Sequence, residues 1–94
     1  MAACRPDIPP HVAEVIRHLP PELKVGVKAA IRALCRSPFA GVPLQRELDG
    51  FWKYRVRRFR IVYAVDGAHR ILRIVAVGER RSVDEELAAL VRRR

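Results

Sequence analysis

The chain has 94 residues, half of them hydrophobic, and a formal net charge of +9 from nineteen basic and ten acidic side chains. This length predicts one domain with a single modest core, and the hydrophobic content excludes a disordered tail. The positive charge indicates a polyanion or an acidic protein as partner. No apolar run approaches the ~20 residues of a membrane-spanning helix.

The cysteines and the N-terminus indicate a reduced protein. Cys4 and Cys35 have no metal-ligand spacing, and Cys35 continues the apolar stripe of a predicted helix, so we expect a reduced thiol in the core. Residues 1–6 lack the apolar segment of a signal peptide. We therefore expect a cytoplasmic protein that uses no metal and no cofactor.

The first part of the chain predicts an edge strand and two helices. Residues 3–8 form a weak strand, because Pro6 donates no ladder hydrogen bond. The first helix begins at Pro9-Pro10 and ends at Pro20, and the second begins at Pro21, where a missing N–H costs nothing. Apolar residues recur at helical spacing in both helices: Val12, Val15, Ile16 and Leu19, then Leu23, Val27, Ala30, Ile31 and Leu34. The basic residues away from the second stripe predict a solvated face, with nucleic-acid binding as the alternative: Lys24, Lys28, Arg32 and Arg36.

Residues 37–50 connect these helices to a sheet. Pro38, Gly41 and Pro43 predict a loop over residues 37–43. Residues 44–48 are ambiguous, and we expect a short extended piece that leads to a turn at Asp49-Gly50.

Residues 51–77 predict a three-stranded antiparallel meander, because apolar and basic residues alternate through its first arm. If Arg57-Arg58 forms a two-residue loop, the pairing follows by counting. The predicted pairs are Val56 with Phe59, Arg55 with Arg60, Tyr54 with Ile61, Lys53 with Val62, and Trp52 with Tyr63. The aromatic and β-branched pairs share one face and make a packing surface.

The other face would place Arg55 directly opposite Arg60, with Lys53 two residues along. Like charges in a directly opposed pair destabilise a sheet. A phosphate bridging the two guanidinium groups would remove the repulsion, whereas the alternative is a solvated face with the arginines splayed into water. We favour the anion site.

The third strand is predicted to follow a turn at Asp66-Gly67, where glycine accepts a positive φ. A two-residue and a four-residue loop give registers that differ by two residues, so either loop places the same side chains on the same face. The Arg60 face is then expected to receive Ile71, Arg73 and Val75, and the Tyr63 face Leu72, Ile74 and Ala76. Arg73 would thereby join the anion site, and Gly78 would end the meander.

A last helix is predicted from the capping box Ser82-Val83-Asp84-Glu85, with acidic residues at its positive end and 92–94, all arginine, at its negative end. Leu87, Leu90 and Val91 give it a thin apolar stripe. The predicted order is (β)ααβββα. We expect a single α+β domain over residues 1–94: a small antiparallel sheet with an N-terminal helical hairpin, a short C-terminal helix, and the helices on one face.

This organisation resembles the RelE/ParE superfamily of toxin–antitoxin toxins from about Val12 to Glu85. The run Leu48-x-Gly50-x-Trp52-Lys53-x-Arg55-Val56-x-x-Phe59-Arg60-x-Val62-Tyr63 is similar to the family's aromatic and basic hairpin. The segment Val75-Ala76-Val77-Gly78-Glu79-Arg80-Arg81-Ser82-Val83 resembles its closing strand and basic turn. Both motifs stand in order behind a helical hairpin of the right length, so the chain is identified as a member of this superfamily.

The resemblance implies a toxin that inhibits growth. RelE-like members cut messenger RNA on the ribosome, whereas ParE-like members poison DNA gyrase. The basic site of the RelE-like branch falls on Lys53, Arg55, Arg60 and Arg80, which favours the RNA-cleaving branch. Neighbouring arginines are expected to bind RNA: Arg57, Arg58, Arg73 and Arg81. The implied partners are the ribosome, messenger RNA and a cognate acidic antitoxin, with no membrane and no small-molecule cofactor.

Three positions depart from the family pattern. Glu79 stands where the family often has histidine, Asp84 where it often has tyrosine, and Arg57-Arg58 where the hairpin loop usually contains glycine. The first two positions bear on proton transfer, for which Glu47 and Glu79 are the candidate acids or bases. The alternatives are therefore a catalytically weak or silent RNA- or antitoxin-binding member of the fold and a gyrase-directed toxin.

Overall fold

The structure is a computed structural model that describes residues 3–92. The predictions made for residues 1, 2, 93 and 94 lie outside the described residues. The chain forms β1 (Arg5–Asp7), α1 (Pro10–Arg17), α2 (Pro21–Arg36), β2 (Val42–Pro43), a 3₁₀ turn (Arg46–Leu48), β3 (Phe51–Val56), β4 (Phe59–Asp66), β5 (Ile71–Glu79) and α3 (Arg80–Arg92). This is the predicted α+β order with one short strand added. None of these helices combines the length and the apolar character that a membrane crossing requires.

The sheet has five strands in the order β1-β5-β4-β3-β2. The β3–β5 meander is antiparallel as predicted, whereas β1 adds to β5 in parallel, so the sheet is mixed. The expected loop over residues 37–43 ends in β2, whose Val42 pairs with Lys53. The extended piece expected over residues 44–48 is cut short, because the 3₁₀ turn occupies its last three residues.

The β3–β4 hairpin has the predicted register at all five pairs, from Val56 with Phe59 to Trp52 with Tyr63. In its two-residue loop, Arg57 has a φ of 55° and takes the left-handed conformation that glycine usually supplies. The second turn has four residues, since Asp66 pairs with Ile71. Its left-handed residue is Arg70, with a φ of 56°, and not Gly67 as expected.

A β-bulge in β5 overturns one face assignment. Val62 pairs with Ala76 while Tyr63 pairs with Ile74, which leaves Val75 as the extra residue. One extra residue shifts the side-chain alternation by one. Ala76 therefore lies on the Val62 face, although we had expected it on the Tyr63 face.

The helical hairpin covers one face of the sheet as predicted, whereas α3 covers the other, so only the expectation that all helices share one face was wrong. Buried residues of α1 and α2, such as Val12, Val27 and Leu34, pack with Ile61 and Tyr63. On the other face, α3 forms a second buried cluster: Val62, Ala76, Val83 and Leu87.

The last helix begins three residues earlier than the capping box predicted, at Arg80 and not at Val83. Strand β5 continues through Gly78 to Glu79, which pairs with Phe59, and α3 begins directly at Arg80. Ser82 is therefore inside the helix and not its cap. Asp84 lies one full turn after Arg80, so the expected dipole contribution of a first-turn carboxylate does not apply to it.

Candidate functional site

The basic hairpin surface is formed by Lys53, Arg55 and Arg60, which share one face of β3 and β4. Arg55 is directly opposite Arg60, and Lys53 is opposite Val62 two residues along. Arg55 is exposed, whereas Lys53 and Arg60 are half-buried. The alternation of side chains across a strand thus brings three cations of the predicted site together.

None of these three cations has a carboxylate within 4.0 Å among residues 3–92. The Nε–H of Arg55 donates to the carbonyl of Arg57 at 2.9 Å, which turns the Arg55 side chain toward the hairpin loop. The other N–H donors of the Arg55 and Arg60 guanidinium groups have no hydrogen-bond acceptor within residues 3–92. The positive charge of this surface is therefore not neutralised from within and is available to bind an external anion.

Arg80 reaches the same end of the sheet. Gly78, the β5 residue paired with Arg60, has no side chain, and Arg80 follows two residues later at the start of α3. An open groove of about 710 Å³ runs along this junction and is lined by Arg58, Glu79, Arg80, Arg81, Asp84, Glu85 and Ala88. Lys53, Arg55 and Arg60 do not line it, so the predicted site consists of a hairpin surface and a neighbouring groove.

Two ion pairs lie in the groove. Arg58 Nε is 3.7 Å from Glu79 Oε1, and Arg80 Nε is 4.0 Å from Asp84 Oδ2. All four side chains are more than half exposed, so each pair contributes little to stability. Their effect is local, because each carboxylate offsets the charge of one arginine.

Arg73 is not brought into the site. It shares the Arg60 face, but it lies five residues from Gly78 along β5, about 16 Å at the rise of a strand. Its guanidinium is 3.9 Å from Asp7 and 3.6 Å from Asp66. Glu47 is exposed on the 3₁₀ turn, which contacts α3.

A buried hydrogen-bond network ties Tyr63 of β4 to the loop before β2, and the sequence pattern did not predict it. The Tyr63 hydroxyl donates to the carbonyl of Pro38 at 2.7 Å and accepts from the N–H of Gly41 at 3.1 Å. A Cβ on Gly41 would lie 2.6 Å from the Lys53 carbonyl, so only glycine fits there. Burial raises the pKa of the Tyr63 hydroxyl, which stays protonated at neutral pH.

The sequence analysis also missed that α3 covers part of the basic face. Val62 and Ala76 are both fully buried because α3 packs on them, which places α3 beside the cations. Val62 lies between Arg60 and Ala64 on this face of β4, and its apolar side chain could have indicated that part of the face is covered. In residues 3–92, no three His, Cys, Asp or Glu side chains are grouped so that they could hold a metal ion.

Comparison with known proteins identifies first the fold of this chain and then the family to which the chain belongs. Solved toxins with the RelE/ParE fold superimpose on this chain. A family model described as the ParE toxin of the type II toxin–antitoxin system, parDE, matches residues 11–83. The chain therefore belongs to this family and is a toxin of a type II toxin–antitoxin system, as the resemblance implied. No curated protein matches the sequence.

Three solved structures illustrate the likeness. The RelBE2 toxin–antitoxin complex of Mycobacterium tuberculosis matches with a TM-score of 0.74 and 29% identity, over 83% of this chain and 99% of that chain. A free arginine-to-alanine double mutant of Escherichia coli RelE matches with a TM-score of 0.78 and 22% identity, over 99% and 98%. The YoeB/ParE toxin from Agrobacterium tumefaciens matches with a TM-score of 0.69 and 23% identity, over 80% and 96%. The last two support the fold alone.

Proposed function

We propose that this toxin inhibits translation in the cytoplasm by cleaving messenger RNA on the ribosome. The observation that carries the proposal is the directly opposed pair Arg55 and Arg60, with Lys53 beside it and no carboxylate partner in residues 3–92. Such a pair costs sheet stability and is relieved by a bridging phosphate. Its guanidinium forks suit the phosphodiester backbone of RNA.

The reaction would use the ribose 2′-hydroxyl as nucleophile. Its oxygen bonds to the adjacent phosphorus, the bond from phosphorus to the 5′-oxygen of the next nucleotide breaks, and the products are a 2′,3′-cyclic phosphate and a 5′-hydroxyl. Arg60 and Arg80 would stabilise the charge that grows on the phosphoryl oxygens. Lys53 and Arg55 would do the same or favour ionisation of the 2′-hydroxyl.

Proton transfer is the demanding part of this mechanism. A base must take the proton of the 2′-hydroxyl, and an acid must supply one to the leaving 5′-oxygen. Glu79 is the first candidate because it lines the groove beside Arg80, and Glu47 is the second. Arg57, Arg58 and Arg81 would hold the flanking RNA, since all three side chains are exposed around the hairpin loop and the groove.

The partner proposed for neutralisation is an acidic antitoxin. Several solved relatives are toxin–antitoxin complexes, including RelBE of Escherichia coli and RelE–RelB of Pyrococcus horikoshii. Helix α3 buries only Val83 and Leu87 on the basic face. We propose that an acidic antitoxin segment covers this face and displaces α3.

A gyrase-directed toxin is the second candidate. The matching family model is that of ParE toxins, and the two positions where the RelE-like pattern often has histidine and tyrosine hold Glu79 and Asp84. The same two positions favour a third candidate, a catalytically weak or silent member that binds RNA or antitoxin.

One pair of assays separates these candidates. The full-length toxin is added to a translating extract and to a gyrase supercoiling reaction, with Arg60→Ala as the matched variant. We expect messenger RNA cleavage that requires ribosomes and is lost in Arg60→Ala, with supercoiling unaffected. Inhibited supercoiling with intact messenger RNA would assign the toxin to the gyrase-directed class, and neither effect would leave a binding member of the fold.

A further inference from the structure

Two cysteines are neighbours on the helical-hairpin side of the sheet. The backbone N–H of Cys4 donates to the carbonyl of Cys35 at 2.8 Å. This carbonyl is one of the last four of α2, which have no acceptor role within the helix, so the segment before β1 satisfies it. The N–H of the next residue, Arg5, donates to the carbonyl of Arg70, also at 2.8 Å. Backbone hydrogen bonds at two successive residues therefore fix Cys4 beside the end of α2.

The geometry of this contact suits a disulfide. At standard backbone dimensions, an N–O distance of 2.8 Å keeps the Cα atoms of Cys4 and Cys35 within about 6.7 Å of each other. Disulfides join cysteines whose Cα atoms are about 4.4–6.8 Å apart. Cys4 also packs against the apolar cluster that contains Cys35, so both side chains reach the same region of the core. Both are free thiols in this structure.

The two thiols differ in their access to solvent. Cys4 is half-buried, whereas Cys35 is buried and only 7% exposed. Burial raises the pKa of the Cys35 thiol, and the neighbouring Cys4 raises it further. Because the thiolate is the reactive form, the more accessible Cys4 is the thiol that meets an oxidant first, and Cys35 is the thiol that reacts second.

We propose that Cys4 and Cys35 form a redox-modification site, at which a peroxide oxidises the two thiols to an intramolecular disulfide. The Cys4 sulfur, as thiolate, bonds to one peroxide oxygen, the O–O bond breaks, and the other oxygen leaves as hydroxide and is protonated to water. The Cys35 sulfur then attacks the Cys4 sulfenic acid and displaces its oxygen as a second water. Overall the two thiols lose two electrons and two protons, and hydrogen peroxide is reduced to two molecules of water.

The cross-link would tie the edge of the sheet to the helical hairpin. It joins the segment before β1 to the last turn of α2 and closes a loop over residues 4–35, which contains all of α1. A disulfide that closes a loop restricts the unfolded chain and so stabilises the fold. In a reducing cytoplasm this bond would form only under oxidant and would be reversed by thiols. The inference does not depend on RNA cleavage, because its test measures thiol chemistry and stability.

The test treats the folded, full-length toxin with hydrogen peroxide under native conditions. We expect the intact mass to fall by two hydrogens and both thiols to stop reacting with a thiol reagent. Trypsin should then release the peptide of residues 33–36 joined to the peptide that ends at Arg17, and dithiothreitol should separate the two. Oxidation should raise the melting temperature by about 5 °C or more.

The matched control is Cys4→Ser, which removes one thiol with little change in size. Peroxide should leave its melting temperature unchanged. In Cys35→Ala, Cys4 should accumulate as a sulfenic acid that dimedone traps. Oxidation of Cys4 to a sulfinic acid while Cys35 stays reduced would overturn the proposal, as would a disulfide between two copies of the chain or no reaction of either thiol. A cross-link that fails to raise the melting temperature would also overturn it, because the folded chain would then not be shaped for the bond.

Discussion

Arg55 and Arg60 are directly opposed across the β3–β4 hairpin, and no carboxylate of residues 3–92 lies within 4.0 Å of either guanidinium. The two-residue loop imposes this pairing, because it leaves no register in which the two arginines avoid each other. Within residues 3–92, the only hydrogen bond of either guanidinium is the one that Arg55 donates to the Arg57 carbonyl. An anionic ligand is therefore the natural partner of the pair.

Replacing Arg60 by alanine should abolish toxicity while preserving the fold. Removing one of two opposed like charges is expected to leave stability unchanged or raise it by up to about 1 kcal/mol. Growth inhibition and denaturant unfolding measure the two effects. The matched control is Arg73→Ala, which removes the same charge from the same face far from the site and should remain toxic. Full toxicity of a folded Arg60→Ala variant would exclude Arg60 from the site.

RNA binding should depend steeply on salt. If Lys53, Arg55, Arg60 and Arg80 each contact a phosphate, a plot of log K against log[salt] should have a slope of about −3 for single-stranded RNA. The measurement is a titration of a labelled oligonucleotide at several ionic strengths. Arg60→Ala should make the slope shallower by about 0.7. A slope near zero for the original toxin would contradict phosphate recognition.

Asp84 is expected to restrain Arg80 and not to catalyse. The two side chains form an exposed pair one helical turn apart, so Asp84→Ala should change stability by no more than about 0.5 kcal/mol. Freed from the carboxylate, Arg80 should bind RNA somewhat more tightly. Asp84→Tyr should accelerate cleavage, because a tyrosine can stack on a base and offer a hydroxyl.

The control for Asp84 is Glu86→Ala, which removes an exposed carboxylate from the same helix. Cleavage and thermal unfolding are measured for all three variants. Loss of cleavage in a folded Asp84→Ala variant would instead make Asp84 a catalytic acid or base.

The Tyr63 hydroxyl should contribute measurably to stability. Tyr63→Phe leaves the Pro38 carbonyl without its donor and the Gly41 N–H without its acceptor, which costs about 1–3 kcal/mol. Tyr54→Phe is the control, because the Tyr54 hydroxyl makes no hydrogen bond within the described residues and its loss should be nearly neutral. Denaturant unfolding followed by the fluorescence of Trp52, which stacks on Tyr63, reports both variants. Equal stability of the two variants would contradict the role of this network.

Acid should weaken the β4–β5 turn through Asp66. The backbone N–H and the ring of His69 donate to this carboxylate at 3.1 and 3.0 Å and hold the pKa of Asp66 below its usual range. A lowered pKa means that the stabilisation is present above the unfolded-state pKa of about 3.9 and is lost as the pH falls through the folded-state value. The difference in melting temperature between the original toxin and Asp66→Asn should therefore exist at pH 6 and shrink toward pH 2.

The control for this pH effect is Asp49→Asn, since the Asp49 side chain has no hydrogen-bond or ion-pair partner in the described residues. It should change the melting temperature equally little at both pH values. An Asp66→Asn difference that is the same at pH 6 and pH 2 would contradict the assignment.

Several parts of the site could be predicted from the sequence because they depend on neighbours in the chain. The alternation of Trp52, Tyr54 and Val56 with Lys53 and Arg55 defines two faces, and a two-residue loop fixes the register by counting. The helical hairpin follows equally from apolar spacing and from Pro10 and Pro21. Each of these features is decided by residues that are close together in the chain.

Other features required the tertiary structure, because their causes lie far apart in the chain. Arg73 lies too far along β5 to join Arg60, and its charge is partly offset by Asp7, a contact that exists only because β1 pairs with β5 across more than sixty residues. The bulge at Val75 places Ala76 under α3, and no local sequence pattern predicted this extra residue in β5.

The sequence alone therefore determined which cations stand together on the hairpin, through strand alternation and loop length. Which of them stay open to a ligand was decided by the packing of the whole chain. Helix α3 buries Val62 and Ala76 beside Arg60, and Asp84 on that helix pairs with Arg80. A strand pattern specifies where a side chain points, but only the assembled fold specifies what else occupies that space.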